Sequence, residues 1–318
     1  MKWKVDRAKK SDLHEISIFF KRLFQGFRQY GQSDMFEWKI FENTHQEGFI
    51  NLIRDGNVIV STTSITPKAL ILNGQRIKVA EIGDTYTETD YQRKGMFNTL
   101  INTSRKNAEE IGSEFIYGTP NKQSLPGYLK HADFVEIEGI TVSSLSFSFS
   151  IRSKFRQLVG PILAGWLDGI YQTCTQKYIL FKNLSVKNID EYSIDQIETL
   201  PDDWDTFWKQ AARGYSFIID RSAKSQNWRY VYNPEKYLII TIRRQGDLIG
   251  YCIYRHTPAG DKNDISIADY LFLNNYEIAL SLCLKKIYEK AFPNSVRSIS
   301  VWCEIKSPFY SIFRNYGL

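Results

Sequence analysis

Apolar side chains recur every three to four residues near the N-terminal end of the chain. Between Leu13 and Phe24 this spacing places leucine, isoleucine and phenylalanine on one side of a helix, and Ser11-Asp12 supplies its N-cap. A second helix is predicted to begin near Ser33-Asp34. We expect the aromatic stripe of the first helix to pack into a core rather than to bind a ligand.

The following segment has the pattern of an antiparallel sheet. Strands are predicted over 49–54 and 57–65, on either side of Asp55-Gly56, which is a strong hairpin signal. A further strand pair is predicted around Asn73-Gly74, and its second strand ends in residues 80–88.

Strand spacing gives way to helical spacing after residue 88. In a regular strand, Ile82 and Tyr86 share one face, whereas Glu81 and Thr85 share the other. Helical spacing then continues as far as Ala108. The segment therefore predicts a strand that feeds a helix through a short loop.

This short loop has the features of a phosphate-binding site. The first amides of a helix lack partners inside the helix, so they point at an anion, and the helix dipole adds to the attraction. Gly95 lets the backbone come close to phosphate oxygens, and the loop has neither a Walker pattern nor a three-glycine dinucleotide pattern. The residues predicted to bind phosphate are Gln92, Arg93, Lys94, Gly95, Met96 and Phe97.

The pattern after this helix predicts the rest of a mixed sheet. A short apolar strand is predicted over 114–118, and Thr119-Pro120-Asn121 opens the next helix. Residues 134–140 and 142–149 are expected to close the same sheet. Helices, an antiparallel meander and a strand–loop–helix–strand unit together are typical of a mixed α/β fold.

The loop resembles the pyrophosphate loop, [QR]-x-x-G-x-[GA], of the GNAT superfamily of acyl-CoA N-acyltransferases. Gln92 and Gly95 match the pattern, and Phe97 stands where the family usually has a small residue. Asn121, seven positions before Tyr128, resembles a later stretch of the same family. The resemblance covers about residues 1–140.

The resemblance implies acetyl-CoA as co-substrate, with no metal. Glu81, eleven positions before Gln92, stands at the spacing of the general base in histone-type members, and Asp84 and Glu88 are alternative bases. Tyr128 is implied as the proton donor to the CoA sulfur. The family's two central strands splay apart to admit the pantetheine arm, whose amides are expected to pair with the backbone of Thr85, Tyr86 and Thr87. Asn121 is expected to hold the arm or a bridging water.

The second half of the chain repeats part of the first. When Trp38 is aligned with Trp228, no gap is needed to match Lys39 with Arg229, Asn43 with Asn233, Arg54 with Arg244, Gly56 with Gly246 and Ile59 with Ile249. We interpret this as two tandem GNAT-like domains. The predicted ranges are a catalytic domain at 1–149, a helical linker at 150–182 and a degenerate copy at 183–318. The copy has no basic pair at 273–277, where the phosphate loop would be.

The linker allows two interpretations. Basic residues precede a run of about fourteen mostly apolar positions, which is too short to span a bilayer. An interfacial helix at a membrane surface is one hypothesis. A helical linker packed between the domains is the other.

Composition limits the classes of partner. The net charge of +6 is spread along 318 residues without a dense basic run, so nucleic acid is not expected as the main partner. The N-terminal residues lack the apolar run of a signal peptide, which favours the cytoplasm. The four cysteines have no zinc-binding spacing and are expected to be buried, reduced thiols.

The resulting hypothesis is an N-acetyltransferase. It would move an acetyl group from acetyl-CoA to a primary amine of a small molecule or an amino sugar, with surface polysaccharides among the acceptor classes. Two alternatives remain open at this point. One is an aminoacyl-tRNA-dependent peptidyltransferase built from two such domains, and the other is a non-catalytic protein that binds acyl-CoA or a metabolite.

Overall fold

The computed structural model describes residues 3–24, 33–149, 152–182, 189–259, 262–291 and 296–318. Its strands are β1 (Asp6–Arg7), β2 (Phe49–Asp55), β3 (Val58–Leu72), β4 (Gln75–Thr87), β5 (Phe115–Tyr117), β6 (Val142–Ser148), β7 (Tyr192–Ile197), β8 (Phe217–Ile219), β9 (Leu238–Arg244), β10 (Asp247–Ala259), β11 (Lys262–Phe272) and β12 (Val296–Glu304). Its α-helices are α1 (Leu13–Leu23), α2 (Ser33–Phe36), α3 (Met96–Glu110), α4 (Leu125–His131), α5 (Arg152–Lys182), α6 (Trp204–Ala212), α7 (Ala223–Gln226), α8 (Leu280–Ala291) and α9 (Pro308–Asn315). Five-residue π-helical turns follow α2 at Glu37–Phe41 and α7 at Asn227–Val231.

The first sheet has the order β1-β2-β3-β4-β5. Strands β2, β3 and β4 form the antiparallel meander expected from the two hairpin signals, and β5 lies parallel to β4. The structure differs in one respect: β3 is one strand of fifteen residues, so both hairpins share it. At its far end β3 also pairs with β8, which comes from much later in the chain.

Helices cover both faces of the first sheet. On one face, α1 and α2 bury an aromatic cluster that includes Phe19, Phe20 and Phe36. This confirms that the aromatic stripe of the first helix is core. On the other face, α3 and α4 bury side chains against Ile65 and Ile82.

A bulge in β4 changes which residues share a face. The register with β3 shifts between Thr62 and Ser64, and Asp84 has a positive φ of 47°. Before the bulge, Ile82 packs on the α3 and α4 side, but Tyr86 packs against the α1 and α2 cluster. The prediction that Ile82 and Tyr86 lie on the same face of the strand is therefore wrong. The extra residue of the bulge moves every later side chain of β4 to the opposite face.

The second sheet has the order β6-β12-β11-β10-β9-β7. Strand β6 pairs antiparallel with β12, so the prediction that 142–149 closes the first sheet is wrong. Residues 134–140 form no strand, which corrects the other half of that prediction. Alternating apolar and polar positions identify a strand, but they do not identify its partner.

The chain divides into two compact units, each made of two segments. One unit contains Met1–Ile137 and Tyr215–Pro234, and the other contains Glu138–Gly214 and Glu235–Leu318. The continuous domain ranges 1–149, 150–182 and 183–318 remain a prediction about how the chain arose.

The linker region is helical. Helix α5 is interrupted at Gly160, whose backbone is not helical, and it exposes Leu158, Ile162, Trp166 and Ile170. No helix in the described part of the chain is long and apolar enough to cross a membrane. All four cysteines are free, but only three are buried as expected, since Cys174 in this helix is exposed.

Candidate active site between β4 and β5

Strand β4 and the edge strand β5 of the first sheet separate at the position of Glu81. Parallel pairing between β4 and β5 covers only three residue pairs and ends at Glu81 with Tyr117. Beyond that point β4 continues to Thr87, and no strand among the described residues pairs with it on the β5 side. The backbone from Gly83 to Thr87 therefore offers hydrogen-bonding groups on an open edge.

The bulge directs Thr85 toward α4. The hydroxyl groups of Thr85 and Tyr128 lie 2.9 Å apart and share a hydrogen bond. The Tyr128 ring is held edge to face by Phe97 at 5.2 Å and by Phe134 at 5.1 Å between ring centroids. Burial raises the pKa of Tyr128, although the hydrogen bond with Thr85 opposes that shift. Tyr128 is thus a protonated hydroxyl fixed beside the open strand edge.

The loop before α3 presents free backbone amides. Gly95 is the N-cap of α3 with φ 80°, and Arg93 also has a positive φ of 61°. In the described part of the chain, the amides from Arg93 to Asn98 make no backbone hydrogen bond, and the first helical bond is from Thr99 to the carbonyl of Gly95. These amides remain available to an anion.

Two side-chain contacts hold the loop in place. Gln92 donates from its Nε2 to the carbonyl of Thr87 at 3.1 Å, which ties the loop to the end of β4. Trp3 donates from its indole nitrogen to the carbonyl of Lys94 at 2.8 Å. Both contacts use carbonyl oxygens of the loop or strand and leave the loop amides unblocked.

The unusual Phe97 is accommodated by a glycine on α4. A Cβ atom on Gly127 would lie 3.1 Å from the Phe97 ring, so only glycine gives the ring room at its present distance. Met96, the neighbouring residue, is buried beneath the helix. The large residue at the family's small position therefore packs inward without filling the loop.

Asn121 shapes the turn before α4. Its Oδ1 accepts hydrogen bonds from the amides of Gln123 at 3.0 Å and Ser124 at 2.9 Å. This Asx turn fixes the approach to the helix that carries Tyr128. A direct contact of Asn121 with a cofactor remains a prediction.

Glu81 faces a lysine and a tryptophan. Its Oε2 lies 3.6 Å from Nζ of Lys68 on β3, with the two side chains 31% and 13% exposed respectively. The Lys68 ammonium also lies 4.7 Å from the centroid of the Trp228 ring. Tyr117, opposite Glu81 on β5, has a raised pKa because of burial and the nearby Glu81 charge.

The alternative bases are engaged elsewhere. Asp84 is partly buried and accepts hydrogen bonds of 2.6 Å from Lys39 and from Ser64. Burial by itself would raise the pKa of Asp84, but the Lys39 charge and these two hydrogen bonds hold it below its ordinary value. Glu88 forms an ion pair with Arg22. Both carboxylates have structural partners at close range, whereas the contact between Glu81 and Lys68 is looser.

Sequence reasoning missed the segment that brings Trp228 to this site. Trp228 stacks on Trp38 with ring centroids 4.9 Å apart, and each indole donates to the other residue's carbonyl, at 2.8 and 3.2 Å. The alignment of these two tryptophans was a signal in the sequence, but it indicated equivalence rather than contact. His45, also missed, lies edge-on to Trp228, and burial lowers its pKa to about 4.

The site suits an acyl-CoA substrate in three respects. The open edge of β4 can pair with the amides of an extended arm, the loop amides can bind phosphates, and Arg93 and Lys94 supply positive charge. Among the described residues, no cluster of histidine, cysteine or carboxylate side chains could hold a metal ion.

Solved structures with the same fold come from bacteria and yeast. A probable N-acyltransferase from Enterococcus faecalis, 14% identical, superimposes with a TM-score of 0.62 over 96% of this chain and 66% of its own. A GCN5-related N-acetyltransferase from Anabaena variabilis, 12% identical, superimposes with a TM-score of 0.62 over 97% of this chain and 68% of its own. Saccharomyces cerevisiae N-myristoyltransferase with bound myristoyl-CoA, 9% identical, superimposes with a TM-score of 0.63 over 99% of this chain and 76% of its own. This chain thus spans about two thirds of the length of the two bacterial chains.

Sequence comparison finds a family profile that matches part of the first unit. A search of curated proteins found no significant match. The family profile described as an acetyltransferase (GNAT) domain matches residues 4–132, which include β1 to β5, the loop before α3 and Tyr128. Residues 4–132 are thus similar to GNAT acetyltransferase domains.

Proposed function

We propose that this protein transfers an acetyl group from acetyl-CoA to a primary amine of a small molecule or an amino sugar. The observation that carries the proposal is the combination, in one unit, of unblocked loop amides and an unpaired β4 edge beside the Tyr128 hydroxyl. An activated thioester needs little covalent help. It needs a neutral amine, a fixed carbonyl and a proton for the departing thiolate.

In the proposed reaction, the acceptor nitrogen attacks the acetyl carbonyl carbon, and the bond between that carbon and sulfur breaks. Glu81 takes the proton that the acceptor nitrogen loses, directly or through a water. Tyr128 gives its proton to the thiolate, and its raised pKa keeps the hydroxyl protonated at neutral pH before that step. The N-acetylated amide and the free thiol of CoA are the products, and charge and protons balance once Glu81 releases its proton to solvent and Tyr128 regains one.

The remaining predicted residues have roles in binding. The backbone of Thr85, Tyr86 and Thr87 would pair with the pantetheine amides as a neighbouring strand does. The loop from Gln92 to Phe97 would bind the pyrophosphate through its amides, with Arg93 and Lys94 adding charge. Asn121 would contact the arm or a bridging water from the turn before α4.

We also propose that the two halves of the chain, rather than the two compact units, descend from a tandem duplication. Each contains a π-helical turn followed by an asparagine that donates to a carbonyl four residues earlier, Asn43 to Lys39 and Asn233 to Arg229. Each also contains a three-stranded meander followed by a parallel strand. The cytoplasmic location indicated by the sequence stays a prediction.

The test combines binding and turnover. Acetyl-CoA, longer acyl-CoAs and CoA should each raise the melting temperature of the wild-type protein, because a ligand of the native state stabilises it by mass action. A panel of amines and amino sugars, assayed for release of CoA thiol, should reveal an acceptor. Glu81→Gln combined with Tyr128→Phe should reduce turnover by about 10²-fold or more while the CoA-induced shift persists.

The outcomes separate the hypotheses. CoA binding without turnover on any amine would favour the non-catalytic protein. Full activity in the double variant would show that the two assigned residues are wrong. Absence of any shift with CoA, combined with transfer from aminoacyl-tRNA, would favour the peptidyltransferase.

A further inference from the structure

Lys68 occupies an enclosed position between a carboxylate and an aromatic ring. Its ammonium lies 3.6 Å from Oε2 of Glu81 and 4.7 Å from the centroid of the Trp228 ring. Only 13% of the side chain is exposed. A cation that contacts both a negative charge and the face of an indole has two favourable interactions, so its place is well defined.

Trp228 is itself held from two sides. Its ring stacks on Trp38, and the two indole N–H groups donate to each other's backbone carbonyls. Turning the Trp228 ring away from Lys68 would break the stack and leave polar groups without partners. The Trp228 ring is therefore held in a fixed position next to the Lys68 ammonium.

The segment that carries Trp228 is anchored to the first sheet along its length. Strand β8 pairs with the end of β3, and Arg76 on β4 pairs with the buried Asp220 at 3.2 Å. Ser225 lies within hydrogen-bond distance, 3.2 Å, of His45. Residues 215–234 thus belong to the same compact unit as Glu81, although they lie outside the matched family domain.

Resting on the proposed function, we propose that Lys68 is a positioning residue for Glu81. The Lys68 ammonium, in contact with the Trp228 ring, orients the Glu81 carboxylate toward the acceptor. It also keeps a positive charge beside the incoming amine. A nearby positive charge disfavours the ammonium form of an acceptor and favours the neutral amine that can attack. Residues 215–234 then supply part of the catalytic apparatus.

The electrostatic surroundings make the charge of Lys68 sensitive to pH near neutrality. Burial lowers the pKa of Lys68 to about 8, the Glu81 charge opposes this, and Arg229 and Lys39 add to the lowering. Below pH 8 the ammonium is present, and above it the charge is lost. Among the described residues, the charged or titratable groups that interact with Lys68 or Glu81 are Lys39 in the π-helical turn after α2, His45 before β2, Tyr117 on β5 and Arg229 beside Trp228.

The first test uses turnover with two lysine variants and a control. Lys68→Met should lower kcat by about 10-fold or more while the KM for acetyl-CoA stays within about twofold, since Lys68 does not face the loop. Lys68→Arg should recover most of the activity, because it keeps the charge. Lys78→Met, at an exposed lysine of the same strand as Glu81, should behave as wild type.

The pH profile distinguishes charge from packing. Wild-type kcat should fall as pH rises past about 8, when Lys68 loses its proton. Lys68→Arg should lack this fall, because an arginine stays charged far above that pH. An identical alkaline fall in the arginine variant, or full activity in Lys68→Met, would overturn the proposal.

The second test needs no turnover. Side-chain NMR of lysine labelled with ¹³C and ¹⁵N, with the Lys68 signal assigned through Lys68→Met, should give a titration near pH 8. Glu81→Gln should lower the Lys68 pKa, because a negative charge that favours the ammonium is gone. Trp228→Leu should raise it toward 10.4 by about one unit or more as water reaches the amine, and Trp228→Phe should raise it less.

The two tests fail in different ways. A Lys68 that titrates above pH 10 in the wild type, or whose titration is unmoved by both Glu81→Gln and Trp228→Leu, would refute the arrangement of the three residues. Absence of transfer to every amine tested, with the NMR shifts present as expected, would refute the proposed function instead. The tryptophan variants count only if their melting transitions remain cooperative, and Glu81→Gln supplies the answer if they do not.

Discussion

In each sheet two parallel strands separate partway along their length. Among the described residues, the gap between them stays open in the first sheet and is bridged by a side chain in the second. In the first, pairing between β4 and β5 ends at Glu81 and Tyr117, and the edge beyond is unpaired among the described residues. In the second, parallel pairing between β11 and β12 ends at Ile267 and Val301. There the hydroxyl of Tyr270 on β11 donates to the carbonyl of Trp302 on β12 at 3.4 Å. A side chain thus bridges the second opening.

Aromatic packing reinforces that bridge. The Tyr270 ring lies edge to face with Phe309 at 5.2 Å and with Phe313 at 5.1 Å, both on α9. Asp269 on β11 accepts hydrogen bonds from the Tyr251 hydroxyl and from the amide of Tyr270. The carboxylate in the second sheet therefore serves the structure.

The loops that follow the two strands differ in the same way. The amides from Arg93 to Asn98 make no backbone bond in the described part of the chain, whereas the Asn275 amide donates to the carboxylate of Glu277 at 3.3 Å. An acidic side chain at this position occupies a donor and repels a phosphate. One fold can thus present a ligand site or a filled copy through a few side chains.

The largest expected effect separates the two tyrosines. Tyr128→Phe should lower turnover by about 10²-fold, because it removes the proposed proton donor. Tyr270→Phe also removes the hydroxyl of a tyrosine but should leave turnover unchanged. It should lower the free energy of unfolding by about 1 kcal/mol. Steady-state kinetics and denaturant unfolding measure both. Equal losses of activity would remove the functional distinction between the two sheets.

A matched pair of glycines tests the phosphate loop. Gly95 and Gly74 have φ values of 80° and 81°, and a Cβ at either would meet nothing within 4 Å. Gly95→Ala and Gly74→Ala should therefore each destabilise the protein by about 1 kcal/mol. Only Gly95→Ala should weaken CoA binding, by about 10-fold, as measured by calorimetry. Unchanged CoA affinity in Gly95→Ala would argue against phosphate binding by these amides.

Acid stability should depend on a histidine of the first unit. Burial lowers the pKa of His45 to about 4, so the unfolded chain binds a proton more readily between about pH 6.5 and pH 4. Stability should decrease as pH falls through that window, by at most about 3 kcal/mol from this group. His45→Gln should flatten the decrease in urea unfolding at pH 4.5 compared with pH 7.5. A decrease of the same size in the variant would assign it to other groups.

The smallest effect concerns the filled loop. Glu277→Gln removes the charge beside the Asn275 amide, but the loop still lacks a basic pair and a strand opening next to it. CoA affinity of the protein should therefore change less than about twofold. A second equivalent of CoA bound to this variant would show that one carboxylate is enough to block the second loop.

Local features were predicted well where a short stretch of chain decides them. The hairpins at Asp55-Gly56 and Asn73-Gly74, the apolar face of α1 and the strand–loop–helix unit all follow from neighbouring residues. The assignment of side chains to the two faces of β4 was wrong after Asp84, because a bulge depends on the register with the partner strand. The roles assigned to Glu81, Tyr128, the loop and Asn121 remain predictions, with geometry that suits them.

The sequence by itself determined the periodic elements, the loop amides with their glycine and the similarity of residues 4–132 to GNAT acetyltransferase domains. The tertiary structure decided the partner of β6, the attachment of β8 and the contact of Trp228 with Lys68. Periodicity is a property of adjacent residues, so it can be read along the chain. Pairing between residues about 145 or more positions apart is chosen by competition among many strand edges and apolar surfaces, and that choice exists only in the folded molecule.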